Sequence, residues 1–324
     1  MSLPAYQKAL QTEIESHTYG EHPLELYEPI HYLMMIGGKR LRPCLTLMTA
    51  NMWLFNWQKA LKPALAVEVF HNFTLMHDDI MDNAPTRRGK STVHEKWGVN
   101  TAILSGDVML VAAYKLLESV EDKCFKKVLK RFNQVAAEVC EGQALDMQFA
   151  SRNDVSKEEY IHMIRLKTSV LLGFALELGA IIAEADDESV QSLYEIGVSL
   201  GIGFQLKDDI LDVYADPEKF GKKVGGDIIE NKKTWLLLDA LERSENTQYA
   251  EMLNFWITST DFIDAEKVKA VTEIYDELNV KSDAEAESEK YFNLAFEKLR
   301  DLKVSDDKKS VLIAFAEDLF KREF

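Results

Sequence analysis

Glycine and proline punctuate this chain so unevenly that little besides helix is left for it to form. The seven prolines stand at 4, 23, 29, 43, 63, 85 and 217, so only one follows Pro85, and no glycine follows Gly226. Proline removes a backbone donor and glycine frees the chain for turns, so long stretches without either predict long regular elements. Apolar residues recur at helical spacing, with Val108, Val111, Ala112 and Leu116 in one segment. Ile161, Ile164, Leu166, Leu171, Leu172 and Ala175 repeat the pattern in another. Strand-like alternation bounded by two-residue turns is missing from the sequence. The expectation is an all-α protein of a dozen or so helices, with residues 1–324 forming a single domain. Residues 169–183 are apolar nearly all round, which places them at the centre. Residues 5–35 read as one or two amphipathic helices interrupted near Pro23 and Pro29.

Composition bounds the class. A chain of 324 residues that is 47% hydrophobic can bury a sizeable core. Lys+Arg 38 against Asp+Glu 54 gives a net charge of −16, which argues against a nucleic-acid partner and against a polybasic membrane anchor. Cys44, Cys124 and Cys140 show no metal-ligand spacing and read as reduced thiols of a cytoplasmic protein. No basic region followed by an apolar core opens the chain, so a signal peptide is not expected. The apolar run from Val170 to Ala183 is too short to span a bilayer and contains Glu177, so a soluble protein is expected.

Two stretches stand out chemically: Leu75-Met-His-Asp-Asp-Ile-Met-Asp82 and Leu206-Lys-Asp-Asp-Ile-Leu-Asp212. Each sets carboxylates at i, i+1 and i+4, so the first and third share a helix face and the second lies about 100° round. Pro85 and Pro217 follow within a few residues, which puts both clusters at helix C-terminal ends. The macrodipole is negative there, so three carboxylates repel one another and the helix end alike. A hard divalent cation completes such an end. Mg²⁺ suits it, because it keeps open positions and bridges to phosphates. The bland alternative is a solvated acidic helix end. Basic, glycine-containing stretches follow each copy, Thr86-Arg-Arg-Gly-Lys90 and Gly221-Lys-Lys-Val-Gly-Gly226, and read as grips for a metal-bound polyphosphate.

Gly37-Gly-Lys-Arg-Leu-Arg-Pro43 adds a third anion candidate, with two glycines freeing the backbone and a proline suited to a first helical turn. His71 lies two turns before Asp78 on the same face. Phe73 and Thr74 sit four to five residues before it, roughly 6–7.5 Å along the axis.

Taken together, these stretches resemble the signature set of the trans-isoprenyl diphosphate synthases, in the correct order over roughly 37 to 235. Glu141-Gly-Gln-x-x-Asp146, Lys167-Thr168 and Lys223-x-Gly-x-Asp227 with Lys232-x-Thr234 extend the resemblance. It implies antiparallel helices around a deep central cavity, usually as a homodimer. Asp78, Asp82 and Asp208 would hold three Mg²⁺ on an allylic diphosphate, with Asp79, Asp209 and Asp212 in support. Arg87, Lys167, Lys223 and Lys232 would grip that diphosphate, while Lys39, Arg42, His71 and Arg88 would bind isopentenyl diphosphate. Thr168 and Gln205 would line the bond-forming region, with Gln143 and Asp146 behind them. The implied reaction is head-to-tail condensation to a short-chain prenyl diphosphate, C20 favoured over C15, with Phe73 and Thr74 as the chain-length floor. No side-chain base is evident, so the released diphosphate would take the proton.

The same residues carry departures from the family pattern and leave rival readings open. Asn231 replaces the glycine that many bacterial members carry, and the first Asp motif has the shorter spacing of archaeal and eukaryotic members. A class I terpene cyclase shares an Asp-rich motif but does not need Lys39, Arg42 and Arg88. A carboxylate-bridged di-iron bundle could use Glu68-x-x-His71 and Glu159-x-x-His162. A non-catalytic subunit of a heteromeric synthase would usually have lost the Asp motifs. The charged helices after Trp235 read as solvated surface, and Lys321-Arg322 as a frayed terminus that could reach a bound diphosphate.

Overall fold

The computed structural model describes residues 2–215 and 224–321. Lys223, Pro217 and the Gly221–Lys222 pair lie outside the described residues, as does Arg322. Among the described residues the fold is all-α apart from one two-stranded ribbon.

The prolines explain where several helices begin. Helix α1 (Leu3–Ser16) has Pro4 in its first turn. Helices α3 (Leu41–Trp53) and α4 (Leu61–Met81) each carry a proline at the third position, where the missing N–H has no intrahelical partner to lose. Pro29 behaves otherwise. It does not interrupt the chain but lies inside α2 (Leu24–Met35), where its ring is buried beside Ile30 and Leu33. Burial of that apolar ring offsets the single ladder bond it removes.

The ribbon adds one short hairpin to the expected all-α fold. Thr86–Arg87 (β1) pairs antiparallel with Lys90–Ser91 (β2) through the two-residue turn Arg88-Gly89. Both turn residues have positive φ, 51° and 72°, as a type I′ hairpin turn requires. Two residues per strand are too few for alternation to register in a sequence.

The described chain divides into two compact units. The first comprises Met1–Asn133, Phe174–Tyr194 and Leu302–Leu312. Within it α4 packs most extensively on α6 (Val99–Leu117). An aromatic chain fills its core: Phe70 meets Phe132 edge-on at 5.2 Å, Phe132 meets Tyr114 at 4.9 Å, and Phe73 lies between Phe70 and His77. Each fully buried ring of this kind stabilises the unit by about 1.5–3 kcal/mol over its exposed state. Among the described residues α6 is the one helix long and apolar enough to cross a membrane by length and composition. One side of it packs through Met109, Ala113 and Leu117, while Ile103, Leu104 and Val111 remain exposed.

The second unit comprises Gln134–Gly173, Glu195–Asp301 and Ile313–Phe324. Its core joins Phe149, Tyr160, Ile164, Leu206, Ile210, Leu236, Leu253, Ile274 and Tyr275. Helix α8 (Lys157–Ile164) opens on a full capping box, with the Ser156 hydroxyl accepting from the Glu159 N–H and the Glu159 carboxylate from the Ser156 N–H. It passes through a π turn at Arg165–Ser169 into α9 (Val170–Ile182), which is buried along nearly its whole length, as its composition predicts. Helix α10 (Asp187–Tyr214) carries the second Asp motif.

Candidate active site

The first motif closes α4. Asp78 and Asp79 lie in the last turn and Asp82 is the C-cap, its N–H donating to the Asp78 carbonyl at 2.9 Å. The three carboxylates differ in setting. Asp79 is buried, Asp78 half-buried and Asp82 exposed. The β1–β2 turn folds Arg87 back onto Asp79, with Nε 2.9 Å from both carboxylate oxygens and Nη2 2.7 Å from Oδ1. The same Nη2 is 3.8 Å from Asp78. This fork-to-fork contact satisfies the middle aspartate within the protein.

Arg88, at the turn itself, reaches the Gly37–Pro43 loop and donates to the Gly37 carbonyl. Gly38, at φ 141°, lets it approach, since a Cβ there would lie 2.8 Å from Arg88 Nη1. Arg42 and His71 meet at 3.3 Å. The two arginines of the loop divide their roles. Arg40 occupies the left-handed N-cap of α3 and turns inward, pairing with Glu68 at 2.5 Å and donating to the Met34 carbonyl. Lys39 is exposed, and its carbonyl accepts from Gln7 at 2.9 Å.

Burial leads the shifts of His71, Arg42 and Arg88, and neighbouring cations add to them. Burial first, then Arg42, Arg88, Arg87 and Arg40, hold the His71 imidazole well below its ordinary range and keep it neutral. Burial pushes the Arg42 guanidinium down to about 10, with Glu68 opposing and Arg88 adding to the shift. Arg88 is lowered as well, by burial and then Arg40. Like charges crowded to this degree favour an incoming anion.

The second motif has the same division of labour. Asp209 is buried, with Tyr160 donating to one oxygen and Gln205 Nε2 to the other at 3.1 Å. Burial, and after it the charge of Asp227, pushes the Asp209 carboxyl up to about 8. Asp208 and Asp212 are half-buried. Asp212 accepts from the Asp227 N–H at 3.0 Å, and Lys232 Nζ stands 3.4 Å from Asp227. Burial works against the Lys232 charge, but Asp227, Asp209 and Asp146 together hold its pKa above the ordinary value. Asn231 takes a left-handed conformation at φ 54°, which explains how it replaces glycine. Its amide donates to the Ile257 carbonyl and accepts from Lys267 at 2.7 Å. Lys167 meets Asp146 at 2.5 Å, and the Thr168 hydroxyl reaches Gln205 at 3.4 Å.

Phe73 is buried in the first unit's aromatic chain, and the Thr74 hydroxyl donates to the His71 carbonyl at 2.8 Å. Gln143 is half-buried on α7 (Asp122–Phe149). The di-iron alternative fails on its own ligands. Glu68 is held by Arg40 and Asn72, and Glu159 by Arg152 and the capping box. The sequence gives no role to Tyr160, places Arg40 only within a basic motif, and offers Glu68 only as an iron ligand. Only the coincidence of a polar residue with a core-facing helical position could have flagged Glu68 and Tyr160.

Among the described residues no three His, Cys, Asp or Glu side chains converge to hold an ion by themselves. The donor set nonetheless fits a hard cation. In each motif the middle aspartate is tied to protein partners, and the outer pair stands one turn apart on a common face. An outer aspartate pair of this type leaves most of a magnesium shell to water and phosphate.

The polyprenyl synthetase family profile matches residues 23–277, and the chain belongs to that family. It is 44% identical over 223 residues to a geranylgeranyl diphosphate synthase of Methanosarcina mazei, covering 68% of this chain and 69% of that one. A geranylfarnesyl diphosphate synthase of Natronomonas pharaonis is 35% identical over 274 residues, 79% of this chain and 78% of that one. A crystal structure of a geranylgeranyl pyrophosphate synthase superposes with a TM-score of 0.95 at 44% identity and full coverage of both chains. The fold is therefore the all-α isoprenoid synthase fold.

Proposed function

We propose that this chain is a trans-isoprenyl diphosphate synthase, acting as a single catalytic domain. It condenses isopentenyl diphosphate head-to-tail with allylic diphosphates and gives a C20 product ahead of C15. The observation that carries the reading is the first unit's cation cluster. Arg42 and Arg88 crowd around a neutral His71 beside an acidic helix end, an arrangement suited to a metal-bound diphosphate.

In this reading Asp78, Asp82 and Asp208 hold magnesium, three ions in all, on the allylic diphosphate, and Asp212 supports them. Bound magnesium supplies positive charge that stabilises the departing diphosphate more than the bound ester. Arg87, Lys167, Lys223 and Lys232 grip the same group. Asp79 and Asp209 act through neighbours, Asp79 by aiming Arg87 and Asp209 through Tyr160 and Gln205. Lys39, Arg42, His71 and Arg88 seat isopentenyl diphosphate. A neutral His71 donates one hydrogen bond without adding to the arginine repulsion. Thr168 and Gln205 face the bond-forming carbons, and the released diphosphate accepts the proton. Apolar walls exclude water from the allylic cation.

Phe73 lies one to two turns along α4 from the Asp motif, which supports its role as the chain-length floor. The exposed apolar face of α6 supports a homodimer with a second copy on that face.

Chromatography of products from dimethylallyl and labelled isopentenyl diphosphates tests the reading. A C20 or C15 prenyl diphosphate is expected. Hydrocarbon and diphosphate released from farnesyl diphosphate alone would instead identify a cyclase. Light scattering tests the dimer, and a monomer at micromolar concentration would refute it.

A further inference from the structure

The π turn at Arg165–Ser169 carries Lys167 and Thr168, and it is seated by glycines on two other helices of its own unit. On α7, a Cβ at Gly142 would lie 2.2 Å from the Lys167 nitrogen, 2.6 Å from its Cα and 2.8 Å from the Leu166 carbonyl carbon. On α10, a Cβ at Gly201 would lie 2.7 Å from Ser169 Cα and Cβ. One turn earlier, a Cβ at Gly197 would meet the Gly173 backbone at 2.6 Å. Backbone atoms cannot swing aside as a side-chain tip can, so these helices approach only because the Cβ atoms are missing.

The geometry continues into the chemistry. Gly197, Gly201 and Gln205 follow at four-residue spacing along one face of α10. Gln205 is the residue that meets Thr168 at 3.4 Å and Asp209 at 3.1 Å. On α7, Asp146 lies four residues beyond Gly142 and holds Lys167 at 2.5 Å. A π turn inserts a residue into the helical ladder and persists where its surroundings hold it.

We propose that Gly142 and Gly201 are positioning residues for the prenyl transfer. By admitting the π turn at backbone contact, they set Lys167 against Asp146 and Thr168 against Gln205. Neither glycine touches substrate. The inference rests on the reading of Lys167 as a contact to the allylic diphosphate.

The test is steady-state kinetics of the full-length protein with both diphosphates varied, together with melting temperatures. Gly142→Ala and Gly201→Ala should lower kcat/KM for the allylic diphosphate by about 10–100-fold, the scale of a displacement near 1 Å. The KM for isopentenyl diphosphate should stay within about twofold. Gly179→Ala is the matched control, because its Cβ would meet the Thr46 carbonyl at 2.3 Å in the other unit. It should lower the melting temperature comparably while leaving kcat/KM within about threefold. Activity losses in the first two variants that merely track melting temperature, as in the control, would overturn the proposal.

Lys167→Ala separates the two claims. Normal kinetics in that variant would refute the underlying reading, whereas a damaged Lys167→Ala beside a normal Gly142→Ala would refute the positioning role alone. Should the alanine variants fail to fold, Gly201→Ala combined with Ser169→Gly removes Ser169 Cβ and Oγ from the clash and leaves Cα. With two of the three clashing atoms gone that pair should fold. Its allylic KM should exceed that of Ser169→Gly alone, which already loses the Ser169 hydroxyl bond to the Ile164 carbonyl at 3.2 Å; equal KM values would sink the idea.

Discussion

Replacing Glu68 with alanine isolates the buried pair that supports the Gly37–Pro43 loop. The Arg40 and Glu68 side chains are 4% and 3% exposed, and their closest atoms are 2.5 Å apart. Glu68 also receives the Asn72 amide at 3.0 Å. Glu68→Ala leaves a guanidinium buried without a counter-charge, which costs about 3–5 kcal/mol. For a chain of this size that lowers the melting temperature by about 6–10 °C, at about 2 °C per kcal/mol. Arg40→Met should cost a similar amount by orphaning the carboxylate. The double variant Arg40→Met/Glu68→Leu removes both charges and keeps volume, so it should recover to within about 1–2 kcal/mol of the parent. Scanning calorimetry of the four proteins gives the coupling energy directly. The KM for isopentenyl diphosphate supplies the functional arm. It should move less than about threefold in the double variant but at least about tenfold in Arg42→Ala. Single variants costing under 1 kcal/mol, or a double variant equal to the sum of its singles, would refute the assignment of Arg40 to structure.

Three further outcomes are expected. Asp78→Ala or Asp208→Ala should cut diphosphate release by about two orders of magnitude or more, and turnover near the parent value would remove that residue from the metal site. Phe73→Ala should lengthen the products on reversed-phase chromatography, and an unchanged product ladder would exclude Phe73 from the floor. For pH, His71 is held below its unfolded value by burial and neighbouring arginines, so the unfolded chain binds the extra proton. Its contribution is therefore intact above pH about 6.5 and lost as pH falls from there toward the folded pKa, at up to about 1.4 kcal/mol per pH unit. His71→Gln should flatten that acid slope in urea unfolding between pH 5 and 7; parallel slopes would contradict the placement of His71.

Much of the candidate site is legible in the chain because its parts are local. Carboxylates at i, i+1 and i+4 ahead of a proline announce an acidic helix end, and glycines before Lys and Arg announce a loop. The middle aspartates were harder to place. Sequence spacing shows that Asp79 and Asp209 lie 100° round from their neighbours, but not that Arg87 and Tyr160 wait there. Arg87 arrives through a hairpin too short to leave a pattern, and Tyr160 comes from another helix. Arg40 and Arg42 look alike in the chain, two cations in one motif, yet one is buried against Glu68 and the other meets His71.

The sequence by itself determined the helical class, the helix ends that carry the aspartates, and the residue types that make up the candidate anion site. Those follow from backbone propensity and from charge repulsion between near neighbours, which act over a few residues. Tertiary structure alone decided which like-looking charges are structural, where the π turn sits, and why Gly142 and Gly201 have no side chain. These depend on desolvation and on backbone contact between helices distant in the chain, and neither force exists until the helices pack.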